Sequence, residues 1–447
     1  MLEPGIIPEN EPDLRVGIIL PEDEQKKVSL IIPEKPEYVL VSREEKIKKL
    51  SQGNELVFSI NREDVNVSIG DDFQDSSTNW KITPVSDDHK MNREAGIKVH
   101  QVISGRSFHW KKYIDVFLPG KVEISNRHSS LMLVNELPIE EYLMCVATSE
   151  MGAACPKELI ESQTIVARSW MLANVEQKHR HLGFDVCNDD CCQRYQGTNN
   201  LSEQSIKGAL NTFGQVLMYD SEICDSRYSK SCGGVMETFE NVWGGDSLPY
   251  MKPIPDAREN FSNPNLPLNS EEKVENWINS VPETFCSPYV IPEDELKQYL
   301  GSVDEEGHYF RWQFEYSQKE LTELLNKKLD LKAEKINSIE PVERGFSGRL
   351  IKVRINFIKD DQEKSTIVKD QYQIRDTFHD SFLYSSAFIV DTQGSDNIPD
   401  KFVLKGAGWG HGAGYCQIGA VGMALEGYST EEIVYHYFPG SNLKKIY

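Results

Sequence analysis

One stretch of the chain, residues 137–173, joins two helix-forming patterns across an abrupt break, and no other part constrains the fold as strongly. In its first half, the apolar side chains of Leu143, Val146 and Ala147 recur at helical spacing on one face. Glu150 is the next residue on that face. Small residues then interrupt the pattern, and Pro156 is typical of the first turn of a new helix. A second amphipathic pattern follows. We therefore predict two helices joined by a short turn, with Glu150 at the end of the first.

Composition excludes several classes of protein. The 447 residues carry a net charge of −22, which argues against nucleic acid as the main partner and against a cationic membrane-binding surface. A hydrophobic content of 39% is enough for a folded core. The sequence contains no apolar run of membrane-spanning length and no export signal. Its nine cysteines are an odd number at modest density, which does not indicate a disulfide scaffold.

The N-terminal half of the chain has the pattern of a β-rich region. Short β-branched runs separated by Gly, Pro and Asn predict strands at residues 15–20, 28–32, 99–104, 113–118, 122–125 and 131–134. The polar stretch 71–79 predicts a turn or loop. Strands that precede a pair of helices predict an α+β fold with mixed sheets and a helical core.

Two separated motifs resemble the SpoIID/LytB family, named for stage II sporulation protein D and the amidase enhancers. Residues 137–143 match the family's Leu-Pro-x-Glu-x-Tyr-Leu opening, and residues 149–151 match its Ser-Glu-Met centre. A helix with Gln163 and Arg168 follows, although Ser162 replaces the alanine usual before that glutamine. The second motif is the Gly-rich C-terminal segment 406–443.

This resemblance implies a SpoIID-like α+β architecture and a domain organisation. We predict a β-rich region at residues 1–104 and a catalytic core with Glu150 at 105–260. A mostly helical insert or subdomain follows at 261–337, and the C-terminal part with the Gly-rich loop is at 338–447.

The resemblance also implies an activity. Family members are associated with lytic transglycosylation of peptidoglycan, a cleavage of the MurNAc-GlcNAc strand that needs one acid and no second carboxylate. Glu150 is the candidate for this general acid and base. Two other interpretations stay open: Glu150 is a solvated glutamate without a chemical role, or the protein is a non-catalytic enhancer of an N-acetylmuramoyl-L-alanine amidase. The implied partners are glycan strands and, in the second case, a cell-wall amidase.

The family resemblance places further residues at the substrate, namely Gln163, Arg168, Trp409, His411 and Gln417. The Gly-rich loop also matches a loose dinucleotide fingerprint at Gly408, Gly410 and Ala413. The segment has no Lys-Ser/Thr ending and lies too near the end of this sequence for a following βαβ unit, so we expect no nucleotide binding.

Three residues in the segment 179–197 are candidate zinc ligands: His181, Cys187 and Cys192. Cys192 is preferred to the adjacent Cys191, because neighbouring cysteines rarely bind the same ion. The chemistry requires no cofactor, so zinc would order this loop. The alternative is a set of ordinary thiols beside a surface histidine.

Cys232 precedes two glycines and could pair with His411 as the nucleophile of a cysteine amidase. A buried thiol that packs as a small apolar side chain is the alternative. Because cell wall lies outside the cytoplasm, we expect an extracytoplasmic protein whose export signal or anchor is not part of this sequence.

Overall fold

A computed structural model describes the whole chain except residues 87–89, 107–110, 264, 302–306 and 396–397. The described chain divides into two compact units, Met1–Asp225 with Leu443–Tyr447 and Ser226–Asn442. The α+β prediction is confirmed, since helices and several sheets occur in both units. The division near residue 225 falls inside the predicted catalytic core, so the two units do not follow the four predicted domain boundaries.

The first unit is built mainly from strands. They are β1 (Asp13–Ile19), β2 (Lys27–Ile31), β3 (Tyr38–Ser42), β4 (Ile47–Lys49), β5 (Glu55–Asn61), β6 (Asp64–Ile69), β7 (Phe73–Ser77), β8 (Asn79–Pro84), β9 (Ile97–Ser104), β10 (Lys112–Leu118), β11 (Lys121–Arg127), β12 (Ser130–Pro138), β13 (Val186–Cys187), β14 (Gln215–Tyr219) and β15 (Glu222–Ile223). All six predicted strands are confirmed. The prediction of a loop at 71–79 was wrong, because β7 and β8 occupy most of it.

Thirteen of these strands, β1 to β13, form two large sheets around one core. A seven-stranded sheet has the order β13-β1-β12-β11-β8-β3-β4, and a six-stranded sheet has the order β10-β9-β2-β5-β6-β7. Inward side chains of both sheets belong to a single apolar cluster that also includes residues of the helices. The polar stretch 71–79 forms strands because Phe73 and Trp80 supply apolar side chains and β7 is an edge strand.

Three helices of the first unit cover this core: α1 (Ile139–Glu150), α2 (Lys157–Ala173) and α3 (Glu203–Asn211). The two helices predicted for residues 137–173 are confirmed. Helix α1 ends where Met151 becomes extended, and α2 begins directly after Pro156. The last strand of the chain, β24 (Asn442–Lys445), joins β14 and β15 in a three-stranded sheet.

The second unit contains three small sheets. Its strands are β16 (Tyr228–Ser229), β17 (Arg311–Ser317), β18 (Lys335–Arg344), β19 (Leu350–Lys359), β20 (Gln362–Lys369), β21 (Phe388–Ser395), β22 (Ile398–Ala407) and β23 (Tyr415–Cys416). Its helices are α4 (Glu240–Trp243), α5 (Glu271–Ile278), α6 (Glu293–Leu300), α7 (Gln318–Leu329), α8 (Gln371–Thr377), α9 (Gln417–Leu425) and α10 (Thr430–Tyr437).

The predicted insert 261–337 is integrated into the second unit. It contains α5, α6 and α7, but β17 pairs with β22 along its full length, from Arg311 opposite Ala407 to Ser317 opposite Lys401. Strand β22 lies between β17 and β21, so this segment contributes one edge of a sheet whose other strands come from the C-terminal part. None of the described helices has the length and apolar character of a membrane span.

Candidate active site

Glu150 is the last residue of α1 and lies close to a long loop of the first unit. Its side chain is 9% exposed. The backbone N–H of Arg194 donates to its Oε1 at 2.9 Å, while the Arg194 guanidinium pairs with Asp190. A main-chain donor fixes the direction of a carboxylate more firmly than a flexible side chain does. Glu150 is therefore a largely buried acid whose orientation depends on the loop that carries Arg194.

That loop is held in place by polar contacts. Asp189 accepts the backbone N–H groups of Gly105 and Arg106 at 3.0 and 2.6 Å. The Arg106 guanidinium reaches Asn188 Oδ1 at 2.7 Å and forms an ion pair with Asp23. Gly197 comes so close to a neighbouring strand that a Cβ atom there would lie 2.0 Å from the Phe117 carbonyl oxygen. The backbone that positions Glu150 is thus anchored to the sheets at several points.

A group of thiols and one histidine, which we call the loop group, lies in the same loop: His179, Cys187, Cys191 and Cys192. Its ligand atoms all lie within 4.8 Å of one another. The structure brings Cys187 and Cys192 together, as the sequence suggested. The loop group also contains Cys191, and its histidine is His179 and not His181. His181 lies exposed on a short 3-10 turn. The adjacent cysteines converge because the turn after Asp189 folds back on itself, with Cys192 N–H donating to the Asp189 carbonyl.

The loop group fits a tetrahedral zinc ion of the Cys₃His type. The Sγ atoms of Cys187 and Cys191 lie 3.1 Å apart, and Cys192 Sγ accepts the Cys187 backbone N–H at 3.5 Å. The Nε2 atom of His179 is buried and has no hydrogen-bond partner among the described residues. A buried ring nitrogen without a partner is unfavourable unless a ligand satisfies it. The ring itself stacks on Phe184, which fixes its plane.

Two histidine variants test this assignment. We expect His179→Ala to weaken zinc binding by more than about 10-fold. Loss of a residue that only supports a metal ligand already lowers the affinity by about 10-fold, and here the ligand itself is lost. His181→Ala should keep the wild-type affinity, since its side chain lies outside the group. Competition with a chromophoric chelator measures both. Equal losses in the two variants, or a loss only in His181→Ala, would contradict the assignment.

Arg168 and Gln163, predicted at the substrate, are inside the core of the first unit. Both side chains are fully buried. The Arg168 guanidinium forms a two-pronged pair with Glu140, at 2.8 and 2.6 Å, and also donates to the Gln215 carbonyl. Arg168 therefore joins α1 and α2 through Glu140, and the predicted roles of Arg168 and Gln163 in positioning the sugar or the acid stay predictions.

Trp409, His411 and Gln417 belong to the second unit. Trp409 is half-buried and stacks on Tyr384, with ring centroids 3.8 Å apart. His411 donates from Nε2 to the Tyr228 carbonyl at 2.9 Å, and its Nδ1 accepts the Ala413 N–H at 3.1 Å. Burial, with nearby arginines, lowers the pKa of His411 to about 3, so the ring is neutral. Gln417 is buried at the start of α9. The substrate contacts predicted for these three residues stay predictions.

Cys232, the nucleophile of the rival amidase interpretation, is 3% exposed. Burial raises the pKa of its thiol well above the ordinary value, whereas a nucleophile needs the thiolate. Both ring nitrogens of its proposed partner His411 are engaged with the backbone. This environment argues against Cys232 as a nucleophile.

Several residues of the candidate site escaped prediction from sequence. Arg194 contributes only its main-chain N–H to Glu150, so its side-chain type carried no signal. His181 was the predicted histidine ligand in place of His179, and Cys192 was preferred to Cys191 because the two cysteines are adjacent. The available signal was that His179 and Cys191 lie near Cys187 and Cys192 in the sequence. Only the course of the loop decides which of these side chains converge.

Comparison with known proteins agrees with the motifs. Residues 127–219 match the family model described as stage II sporulation protein, SpoIID, a span that includes Glu150 and the loop group. An amidase enhancer of Bacillus subtilis is 24% identical over 322 residues, and a stage II sporulation protein D of Bacillus amyloliquefaciens is 26% identical over 136 residues. These matches support the resemblance to the SpoIID/LytB family, with a SpoIID domain at residues 127–219.

A second family model and a further relative match other parts of the chain. Residues 237–414 match a domain of unknown function, DUF8618. An uncharacterised protein of Brachyspira hyodysenteriae is 23% identical over 316 residues, which cover 71% of this chain and 69% of that protein. The amidase enhancer is matched over 67% of this chain but only 39% of its own length, and the Bacillus amyloliquefaciens protein over 27% and 39%.

Proposed function

We propose that this protein is a peptidoglycan lytic transglycosylase that cleaves the MurNAc-GlcNAc bond with Glu150 as general acid and base. The match of residues 127–219 to the SpoIID family model and the similarity to an amidase enhancer support a cell-wall-related role. The observation that carries the proposal is Glu150 itself, a largely buried carboxyl group oriented by the Arg194 N–H within the part of the chain that matches the family.

The reaction requires one residue to move one proton in each direction. Glu150 donates its proton to the glycosidic oxygen as the bond from that oxygen to the MurNAc anomeric carbon breaks. The resulting carboxylate removes the proton of the MurNAc C6 hydroxyl, whose oxygen then bonds to the anomeric carbon. The products are a 1,6-anhydro end and a GlcNAc hydroxyl, and no water is consumed.

The loop group would hold a structural zinc ion through His179, Cys187, Cys191 and Cys192. The ion would supply cross-links between segments of the loop and no step of the reaction. Because the same loop carries Arg194, its order determines where the N–H lies that orients Glu150. We also propose an extracytoplasmic location, since the substrate is outside the cytoplasm.

Product analysis tests the proposal. Purified glycan strands, with and without stem peptides, are digested by the wild-type protein, and the ends are identified by mass spectrometry. We expect 1,6-anhydro ends, which are the signature of a transglycosylase. They are lighter than reducing ends by one water molecule, about 18 Da. Reducing ends that contain added water would instead identify a hydrolase and contradict the single-acid mechanism.

The second candidate is a non-catalytic enhancer of a cell-wall amidase. It is favoured by the relative named amidase enhancer, which aligns with 67% of this chain. Under this proposal the protein leaves glycan strands intact, raises the rate at which an amidase releases stem peptides, and does so equally well without Glu150. An amidase assay with the wild-type protein and a Glu150 variant distinguishes the two candidates.

A further inference from the structure

Three cysteines and one aspartate of the second unit, which we call the core group, converge at a place that no motif indicated: Cys232, Asp256, Cys286 and Cys416. They come from four separate segments, namely the turn after β16, two irregular connections, and the residue that precedes α9. All four are buried, with Asp256 and Cys416 fully so. One ligand atom from each lies within 4.8 Å of the others.

The distances inside the core group match those around one metal ion. Cys232 Sγ lies 3.7 Å from Cys286 Sγ and 3.5 Å from Asp256 Oδ2. Tetrahedral zinc, with bonds of about 2.3 Å to sulfur and about 2.0 Å to oxygen, separates two sulfurs by about 3.8 Å and a sulfur from an oxygen by about 3.5 Å. We propose that the second unit binds a single structural zinc ion through Cys232, Cys286, Cys416 and Asp256.

Hydrogen bonds around the core group point in the direction that metal-bound thiolates need. Cys416 Sγ accepts the backbone N–H groups of Cys232 and Gly419 at 3.2 and 3.4 Å. Cys232 Sγ accepts the Gly234 N–H at 3.4 Å. Main-chain donors to ligand sulfurs are the usual outer sphere of a Cys-bound metal.

The aspartate is supported in the same way. Tyr437 donates its hydroxyl to Asp256 Oδ1 at 2.8 Å, and the Cys286 N–H donates to Oδ2 at 3.2 Å. His436 lies 3.8 Å from Oδ1. Oδ1 is thus engaged by the protein, and Oδ2 faces the thiols. A fully buried carboxylate beside three thiols is unfavourable without a cation to compensate it.

Buried positive charge surrounds the core group. The guanidinium of Arg349 donates from both terminal nitrogens to the Cys232 carbonyl, and Arg311 donates to the Gly233 carbonyl. Neither arginine forms an ion pair with a carboxylate in the part of the chain that the structure describes. Zinc with three thiolates and one carboxylate carries a net charge of about −2, which these two arginines would balance.

A disulfide is the competing interpretation of three neighbouring thiols. The Sγ atoms of Cys232 and Cys286 are 3.7 Å apart, whereas a disulfide bond is about 2.05 Å long. A disulfide would also leave Cys416 and Asp256 unexplained. A zinc ion uses all four residues, and it would fix the end of the Gly-rich loop, since Cys416 is both a ligand and the N-cap of α9.

The first experiment separates this site from the loop group. The double variant Cys191→Ser/Cys192→Ser removes two ligands of the loop group and leaves the second unit unchanged. We expect the purified full-length variant to keep one zinc ion per chain by plasma mass spectrometry. Exchange for Co²⁺ should give the intense visible absorption of a tetrahedral thiolate site. A zinc-free, folded variant that takes up no Co²⁺, or a Cys232–Cys286 disulfide found by peptide mapping, would overturn the proposal.

The second experiment removes a core-group ligand. Cys286→Ser in the same background should lose the remaining zinc ion. Cys224→Ser is the matched control, because Cys224 is a buried thiol outside both groups. It should keep the ion. If Cys286→Ser does not fold, the metal content and Co²⁺ spectrum of the double variant still decide the proposal. These results do not depend on glycan cleavage, so they stand or fall separately from the proposed function.

Discussion

Glu150→Gln is expected to reduce glycan-strand cleavage by at least about 100-fold, because positioned acid-base groups contribute about 10²- to 10⁴-fold to such reactions. The substitution keeps the size of the side chain and an oxygen that can accept the Arg194 N–H. It removes the proton that the leaving oxygen must receive. Release of anhydro ends from purified strands, followed by mass spectrometry, measures the effect.

Glu158→Gln is the matched control for this variant. Glu158 lies at the start of α2, is only partly buried, and has no proposed role in the reaction. We expect it to retain wild-type cleavage. Circular dichroism and the thermal midpoint establish that both variants are folded. Cleavage by Glu150→Gln at the wild-type rate would refute the catalytic assignment and leave the amidase-enhancer proposal in its place.

Arg168→Met is expected to lower the free energy of unfolding by about 3–5 kcal/mol, which is typical when one partner of a buried ion pair is removed. The change leaves Glu140 buried between α1 and α2 without its cation. Its remaining donors are the Tyr447 hydroxyl at 2.8 Å and the Gly214 N–H at 3.2 Å. Urea unfolding followed by tryptophan fluorescence and circular dichroism measures the loss.

Lys157→Met provides the comparison for the buried pair. Lys157 pairs with Glu161 on the surface of α2, where its side chain is 68% exposed. Exposed pairs contribute about 0–1 kcal/mol, so this variant should unfold close to the wild-type midpoint. A loss in Arg168→Met no larger than that in Lys157→Met would show that the Glu140 pair does not stabilise the first unit.

The sequence predicted the elements of the first unit well. The helices α1 and α2 and six strands were predicted because their signals are local, namely helical spacing, a proline after a turn, and β-branched runs. The loop prediction for residues 71–79 was wrong. Phe73 and the adjacent Trp80 pack against the apolar core, and neighbouring strands pair with this polar stretch. The segment 261–337 was predicted as an insert because its helices were evident, whereas the pairing of β17 with β22 depends on residues far away in sequence.

The candidate site was predicted in part. Motifs pointed to Glu150, and the structure describes it as a buried acid at a helix end, although its role in catalysis is still a prediction. The family resemblance placed Arg168 where it would position the sugar or the acid. A buried pair with Glu140 produces the same sequence signal, because an arginine on a helix does not reveal whether its partner is a sugar or a carboxylate.

The sequence by itself determined the resemblance to the SpoIID/LytB family, the α+β class, and the two helices of which the first ends at Glu150. Each of these depends on residues that are close together in the chain. Tertiary structure alone decided which side chains meet. Cys187, Cys191 and Cys192 are neighbours in sequence, yet the fold of the loop selected His179 over His181. Cys232, Asp256, Cys286 and Cys416 lie on separate segments, and only packing of the second unit brings their ligand atoms within bonding range of one ion.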